Sequence, residues 1–252
     1  MKPYFSILVT AYNAKEWITE CIQSVQSQIF GDYEVLIGDD ASTDGTSDLL
    51  MSLVGADQRF KLFRSDINRG GGENIKDLML KASGEVCVEL GADDYFIRND
   101  VFTKIKEMYD KFPKCDSTTG SFMVVPRTVI CDNPPDLLWW KRWSCCKPLT
   151  WKTEVGKSAL DEFKGVQIDP NTGLMPRYGW DVAIYFPIMY RSLRHKHLYE
   201  VLYAYRTHDN NDMVDHREDQ IITERRMGDY FDKILMKTMP WWPQEEKDKY
   251  AT

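Results

Sequence analysis

The stretch Tyr33-Glu34-Val35-Leu36-Ile37-Gly38-Asp39-Asp40 decides the fold, because an apolar run of strand length ends on two adjacent carboxylates. A second run, Val86-Cys87-Val88-Glu89-Leu90, leads in the same way into Asp93-Asp94. Short apolar runs bounded by turn residues read as buried strands, and helical segments lie between these two. In an open α/β sheet, ligands bind outside the carboxyl ends of the strands. Both acidic pairs are therefore expected at one crevice. Adjacent acids there can hold a hard divalent cation and hydrogen-bond a nucleotide.

The same rhythm extends to both sides. Phe5 to Val9 reads as a strand ending at Thr10-Ala11-Tyr12, and Asn13-Ala14-Lys15-Glu16 offers an Asn cap with Glu three residues on. Ile18, Ile22, Val25 and Ile29 then recur at helical spacing until Gly31-Asp32. Ala41-Ser42-Thr43-Asp44-Gly45 is a turn rich in capping side chains and leads into a helix through Leu49, Leu50 and Leu53. Arg59 to Phe63 reads as a third strand. Asn68-Arg69-Gly70-Gly71-Gly72 reads as a turn before a helix from about Asn74 to Lys81, which Gly84 stops. Strands alternating with helices of this length imply parallel crossovers.

Beyond Asp100 the rhythm is lost. Val101 to Phe112 reads as a helix ended by Pro113, and Ser121 to Val125 as a strand. Trp139, Trp140, Trp143 and Trp151 crowd one stretch, interleaved with Lys141, Arg142 and Lys147. Three readings stay open for it: core and lid packing, an acceptor-binding wall, or a peripheral contact at a membrane interface. Gly179-Trp180-Asp181 precedes an apolar segment, and Leu198 to Tyr205 reads as a strand ending in Arg206-Thr207-His208. The polar stretch Asp209 to Asp219 reads as a mobile lid. An amphipathic helix with Ile221, Ile222, Phe231, Ile234 and Leu235 follows.

Composition bounds the function. The chain has 252 residues, 43% of them hydrophobic, enough for one large domain with a sizeable core. A net charge of -7 gives no global footprint for nucleic acid. No run approaches the ~20 apolar residues that span a bilayer, and the N-terminus does not resemble a targeting signal. Six cysteines without paired metal spacing suggest a reducing, cytoplasmic setting, with Cys21 and Cys87 as small core residues.

Four blocks in order carry a resemblance. They are Ser6-Ile7-Leu8-Val9-Thr10-Ala11-Tyr12-Asn13, Ile37-Gly38-Asp39-Asp40-Ala41-Ser42-Thr43-Asp44-Gly45-Thr46, Asn68-Arg69-Gly70, and Ala82-Ser83-Gly84-Glu85 through Ala92-Asp93-Asp94. Together they resemble the family 2 glycosyltransferases, inverting enzymes of the glycosyltransferase A fold. The resemblance covers the first hundred residues and is looser at Gly179-Trp180-Asp181 and Tyr205-Arg206-Thr207-His208. It implies an α/β fold with a mostly parallel central sheet flanked by helices. Residues 1–100 would form a Rossmann-like nucleotide-binding half, 101–215 an acceptor-binding half of the same domain, and 216–252 a helical extension.

The resemblance also implies roles. Thr10, Ala11 and Tyr12 would cradle the nucleotide base, and Asp40, with Asp39, would accept from a base imide, favouring a UDP-sugar. Arg69 would contact phosphate, and Asp93 would reach the ribose or sugar. Asp94 would ligate Mn2+ or Mg2+ on the diphosphate, with His208 as a further ligand. Asp181 would be the general base that deprotonates a glycan or other hydroxyl-bearing acceptor. The family pattern Asp-x-Asp-Asp is shortened here, because Gly91 stands where the first acid would.

Blander roles compete with each of these. Asp39-Asp40, Asp44 and Asp181 could cap helices, Asp93-Asp94 could be a solvated strand end, and His208 and Arg69 could be exposed loop residues. Function classes compete as well: a nucleotide-sugar-binding module without catalysis, a phosphoacceptor receiver domain, or a nucleotidyltransferase. A receiver places its acid pair after the first strand and is about half this length. A nucleotidyltransferase wants a Gly-rich basic loop where Thr10-Ala11-Tyr12-Asn13-Ala14 stands.

Overall fold

A computed structural model describes residues 2–132, 147–169, 171–192, 194–208 and 217–238. Trp139, Trp140, Trp143, Cys145, Cys146 and 209–216 of the expected lid lie outside the described residues.

The strands are β1 (Phe5–Ala11), β2 (Tyr33–Asp39), β3 (Phe60–Arg64), β4 (Val86–Gly91), β5 (Tyr95–Phe96), β6 (Ser117–Val125), β7 (Val129–Cys131), β8 (Thr150–Lys152) and β9 (His195–Arg206). They form one sheet in the order β3-β2-β1-β4-β8-β6-β9-β5, with β7 paired to β6. β1 pairs in parallel with both β2 and β4, and β2 with β3. The strand order therefore reverses at β1. Such a switch point opens a crevice at the carboxyl ends, and Thr10, Asp39 and Gly91 stand at those ends of β1, β2 and β4. The sheet continues without a break across residue 100, through β8 antiparallel to β4 and β6 antiparallel to β8.

The helices are α1 (Ile18–Gln26), α2 (Thr46–Val54), α3 (Gly71–Lys81), α4 (Val101–Lys111), α5 (Thr153–Glu162), α6 (Lys164–Gln167), α7 (Trp180–Arg191) and α8 (Arg217–Thr238). They cover the two faces of the sheet. Ile7 and Val9 of β1 turn to one side, where Ile18, Ile22, Leu50 and Phe102 meet them. Leu8 and Leu36 turn to the other and pack with Ile75, Leu78, Val182 and Phe231. Alternate residues of a strand face opposite ways, so apolar runs are needed where both faces are covered. Each such side chain contributes about 1.5–3 kcal/mol on full burial.

Several sequence expectations are corrected, and those for Trp151 in the core and for buried Cys21 and Cys87 are met. Asn13 does not cap α1: its φ is 48°, Trp17 holds the cap position, and Asn13 Oδ1 instead accepts from the Thr43 amide. Ile29 lies beyond the end of α1 and is 66% exposed. Gly71 and Gly72 belong to the first turn of α3 rather than to the preceding turn. Trp151 is wholly buried beside Tyr185, which makes it a core residue. Ile222 is exposed on α8, whereas Met227 and Phe231 are buried. Cys21, Cys87, Cys115 and Cys131 are free thiols, the first three buried.

Glu34, a carboxylate in an otherwise apolar strand, is satisfied internally. It accepts from the Ser6 hydroxyl, from the amide and hydroxyl of Ser83, and from Lys61 Nζ at 2.7–2.8 Å. These bonds tie the entry to β4 onto β1 and β2.

Candidate active site

The turns after β1 and β2 are held together by side chains of the Ser42-to-Thr46 block. The Asn13 amide donates to Ser42 Oγ at 2.8 Å, Ala14 to Thr46 Oγ1 at 2.9 Å, and Lys15 to Asp44 Oδ2 at 3.0 Å. Both turns contain a non-glycine residue in the left-handed region, Asn13 at φ 48° and Ala41 at φ 64°. Backbone of that kind persists only where its surroundings fix it, and these bonds do so. The serine, threonine and aspartate spacing thus shapes the mouth of the crevice.

The cleft, about 720 Å³, is lined by residues from both halves of the chain. Thr10, Ala11, Tyr12, Asp40, Asp93, Asp94, Asp181 and His208 all line it. Asp40 of the first doublet, both acids of the second, and Asp181 therefore share one cavity.

Within each doublet the two acids part company. Asp40 faces the cleft, and its oxygens accept from the Arg69 and Gly70 amides at 3.0 and 2.7 Å. A carboxylate offers about four lone-pair sites, so Asp40 keeps acceptor capacity. Asp39 is fully buried and is not a lining residue: Oδ1 accepts from the Ser42 amide, and Oδ2 lies 4.0 Å from Arg64 Nε. Arg69 does not line the cleft either, because its guanidinium pairs with Asp77 at 2.6 Å.

Asp94 is 3% exposed, with Oδ2 accepting from the Tyr203 hydroxyl at 2.6 Å and Oδ1 from the Arg206 amide at 2.8 Å. Burial, with the Asp93 charge adding to it, pushes the Asp94 carboxyl well above its usual range. Asp93 is more open, and its Oδ2 lies 3.1 Å from His208 Nε2. The hydrogen bond to Asp93 draws the His208 imidazole upward from its ordinary value. Gly91 lies close beneath, for a Cβ there would stand 2.8 Å from Asp93 Oδ1 and 3.1 Å from Asp94 Oδ2.

Asp181 lies in the first turn of α7, which starts from Gly179 in the left-handed region at φ 68°. The turn is seated on α3, where a Cβ at Gly71 would come within 2.6 Å of Trp180 Nε1. Asn74 of α3 in turn donates to the Gly38 carbonyl at 2.8 Å, next to the first doublet.

Sequence reasoning missed Trp17, Asn74, Glu89, Lys147 and Arg177, all of which line the cleft. Lys147 and Glu89 form a buried ion pair. A charged residue inside the apolar β4 run was the available signal for Glu89. Nothing local marks Lys147, which reaches the site only through the pairing of β8 with β4.

Among the described residues no group of three or more His, Cys, Asp or Glu side chains forms a metal centre. None of the described helices is long and apolar enough to cross a membrane.

A switch-point cleft walled by acids at the carboxyl ends of parallel strands defines an α/β protein of glycosyltransferase A-like fold. Residues 6–151 match the family described as Glycosyl transferase family 2, and the chain belongs to that family. It is 28% identical over 110 residues to the putative teichuronic acid biosynthesis glycosyltransferase TuaG of Bacillus subtilis, covering 44% of each chain. It is 29% identical over 106 residues to a GalNAc(5)-diNAcBac-PP-undecaprenol beta-1,3-glucosyltransferase of Campylobacter jejuni, covering 42% of this chain and 34% of that one. The matching stretch spans less than half the length of these curated relatives. Among solved structures, S. aureus TarS 1–349 in complex with UDP-GlcNAc superposes with a TM-score of 0.72 at 18% identity, over 98% of this chain and 70% of that one. The mannosyltransferase PcManGT of Pyrobaculum calidifontis, in complex with GDP-Man and Mn2+, gives 0.67 at 17% identity, over 100% and 69%. The last two likenesses concern the fold.

Proposed function

We propose that the chain transfers a sugar from a UDP-sugar to an acceptor hydroxyl with inversion at the anomeric carbon. The observation that carries this is the convergence of Asp40, Asp93 and Asp181 on one cleft. Asp40, already positioned by the Arg69 and Gly70 amides, accepts from the base imide. Thr10, Ala11 and Tyr12 flank the base, and the Tyr12 ring, 49% exposed, is available for stacking. Asp39 and Arg69 support the site from behind, the first through the Ser42 amide and the second through its own amide.

A divalent cation would be held at His208 and the second doublet, all of which line the cleft. Asp93 Oδ2 and His208 Nε2 would exchange their mutual hydrogen bond for the cation, and each Asp94 oxygen, with one donor apiece, keeps a lone pair for it. An oxygen–nitrogen donor set suits Mn2+ better than Mg2+. When bound, the cation would act as a Lewis acid that neutralises the departing diphosphate.

Asp181 takes the proton of the acceptor hydroxyl as its oxygen attacks the anomeric carbon. The bond from that carbon to the diphosphate breaks, and the nucleoside diphosphate leaves with the electron pair. Holding the two reactants in line replaces an encounter in solution. The test is Asp181→Asn, which is expected to bind UDP like the parent while transfer falls about 10²–10⁴-fold. Transfer at the parent rate would remove Asp181 from the role. Donor binding with no turnover by the parent on any acceptor would indicate a binding module.

TarS, solved with UDP-GlcNAc, and an Escherichia coli relative named UDP-Glc:alpha-D-GlcNAc-diphosphoundecaprenol beta-1,3-glucosyltransferase WfaP support donor chemistry of this kind. The last is 29% identical over 103 residues.

A further inference from the structure

Trp17 lines the cleft but belongs to none of the blocks that carry the family resemblance. It precedes α1 at the cap position, with its amide bonded to the Ala14 carbonyl at 2.9 Å. Its ring is stacked on the His208 imidazole, with centroids 5.6 Å apart and planes 18° from parallel. The Arg206 guanidinium lies 4.5 Å from the centre of the same ring.

Arg206 is fixed in turn. Its Nε donates to the Asp93 carbonyl at 2.8 Å, its amide to Asp94 Oδ1, and its Nη2 pairs with Glu20 of α1. One indole therefore joins the start of α1 to Arg206 at the end of β9 and to His208 just beyond it, two of the residues that touch the acid doublet. An imidazole has two rotatable bonds, and a lone hydrogen bond to Asp93 does not fix the tilt of its plane. A parallel ring at stacking distance does.

We propose that Trp17 is a positioning residue that holds the His208 imidazole in the plane where Nε2 faces Asp93, readying the pair for a divalent cation. This rests on the assignment of Asp93 and His208 as the cation pair. Groups that orient a metal-bound histidine are typically worth ten- to a hundredfold in metal affinity. A hydrophobic residue without a ring fills the space but leaves the imidazole free to turn.

The experiment is calorimetric titration of UDP into the full chain, with Mn2+ and in chelator, so that the gain due to Mn2+ is read as a ratio. Trp17→Leu is expected to reduce that ratio about ten- to a hundredfold, and Trp17→Phe, which keeps a ring, to restore most of it. Trp17→Met takes the place of Trp17→Leu if the latter fails to give a cooperative melt. His208→Ala is run beside them. A lowered ratio in His208→Ala with an undiminished one in Trp17→Leu overturns the positioning role and leaves the cation pair standing. An undiminished ratio in both overturns the cation pair itself. Equal losses in Trp17→Phe and Trp17→Leu also overturn the proposal, since the ring would then be irrelevant.

Discussion

The Tyr203 hydroxyl donates to Asp94 Oδ2 at 2.6 Å, joining a strand near the end of the described chain to the acid doublet after β4. With the Arg206 amide on Oδ1, this ties both Asp94 oxygens to β9, whereas its neighbour Asp93, which lines the same cleft, is more open. Neighbours in sequence thus differ in how tightly they are held.

The two acids should respond differently to truncation. Asp94→Ala leaves a buried hydroxyl and a buried amide without an acceptor, at about 1–3 kcal/mol each. The melting temperature is expected to fall by about 2–4 °C per kcal/mol. Asp93→Ala is expected to melt close to the parent and to lose the benefit of Mn2+. Equal melting temperatures for the two variants would contradict this difference.

Gly91 stands where the family resemblance would place an acid, and its backbone lies close under both carboxylates of the doublet. A Cβ there meets both carboxylates of the doublet. Gly91→Ala is expected to displace Asp93 and to lower transfer at saturating acceptor by tenfold or more, about 1.4 kcal/mol on the barrier. Unaltered turnover would show that the Asp93 carboxylate has room to move.

Glu34 gives the fold a definite acid sensitivity. Burial alone would raise its carboxyl, but the Lys61 ammonium and the Ser6 and Ser83 donors outweigh that and hold it down to about 2, from 4.5. A carboxylate with a depressed folded value stabilises the protein above its unfolded value, and this stabilisation fades as pH falls from about 4.5 toward 2. The amount at neutral pH is on the order of 3 kcal/mol. Denaturant unfolding at pH 7 and pH 3 should show the parent losing more stability than Glu34→Gln. Parallel losses would contradict the assignment.

The parallel half of the fold was legible because its signals are local. Apolar runs closed by acids mark β2 and β4, and Ile18, Ile22 and Val25 mark a buried helix face. The cap of α1 was misread because Asn13 and Glu16 satisfy a capping pattern locally, while Asn13 is recruited across the turn by Thr43. Asp39 and Asp40 are alike in sequence. Only the alternation of side chains at the end of β2 turns one into the wall and the other into the cleft. Lys147, Trp17 and the Tyr203 contact to Asp94 depend on contacts between distant segments. Tyr203 and Asp94 are separated by 109 positions, beyond the reach of any local pattern.

The central claim is that Asp40 and Asp93, from separate strands, grip one nucleotide diphosphate. Calorimetric titration of UDP in Mn2+ against the parent, Asp40→Ala and Asp93→Ala tests it most directly. Each variant is predicted to bind at least tenfold more weakly, about 1.4 kcal/mol or more. Parent-like affinity in both variants would contradict it.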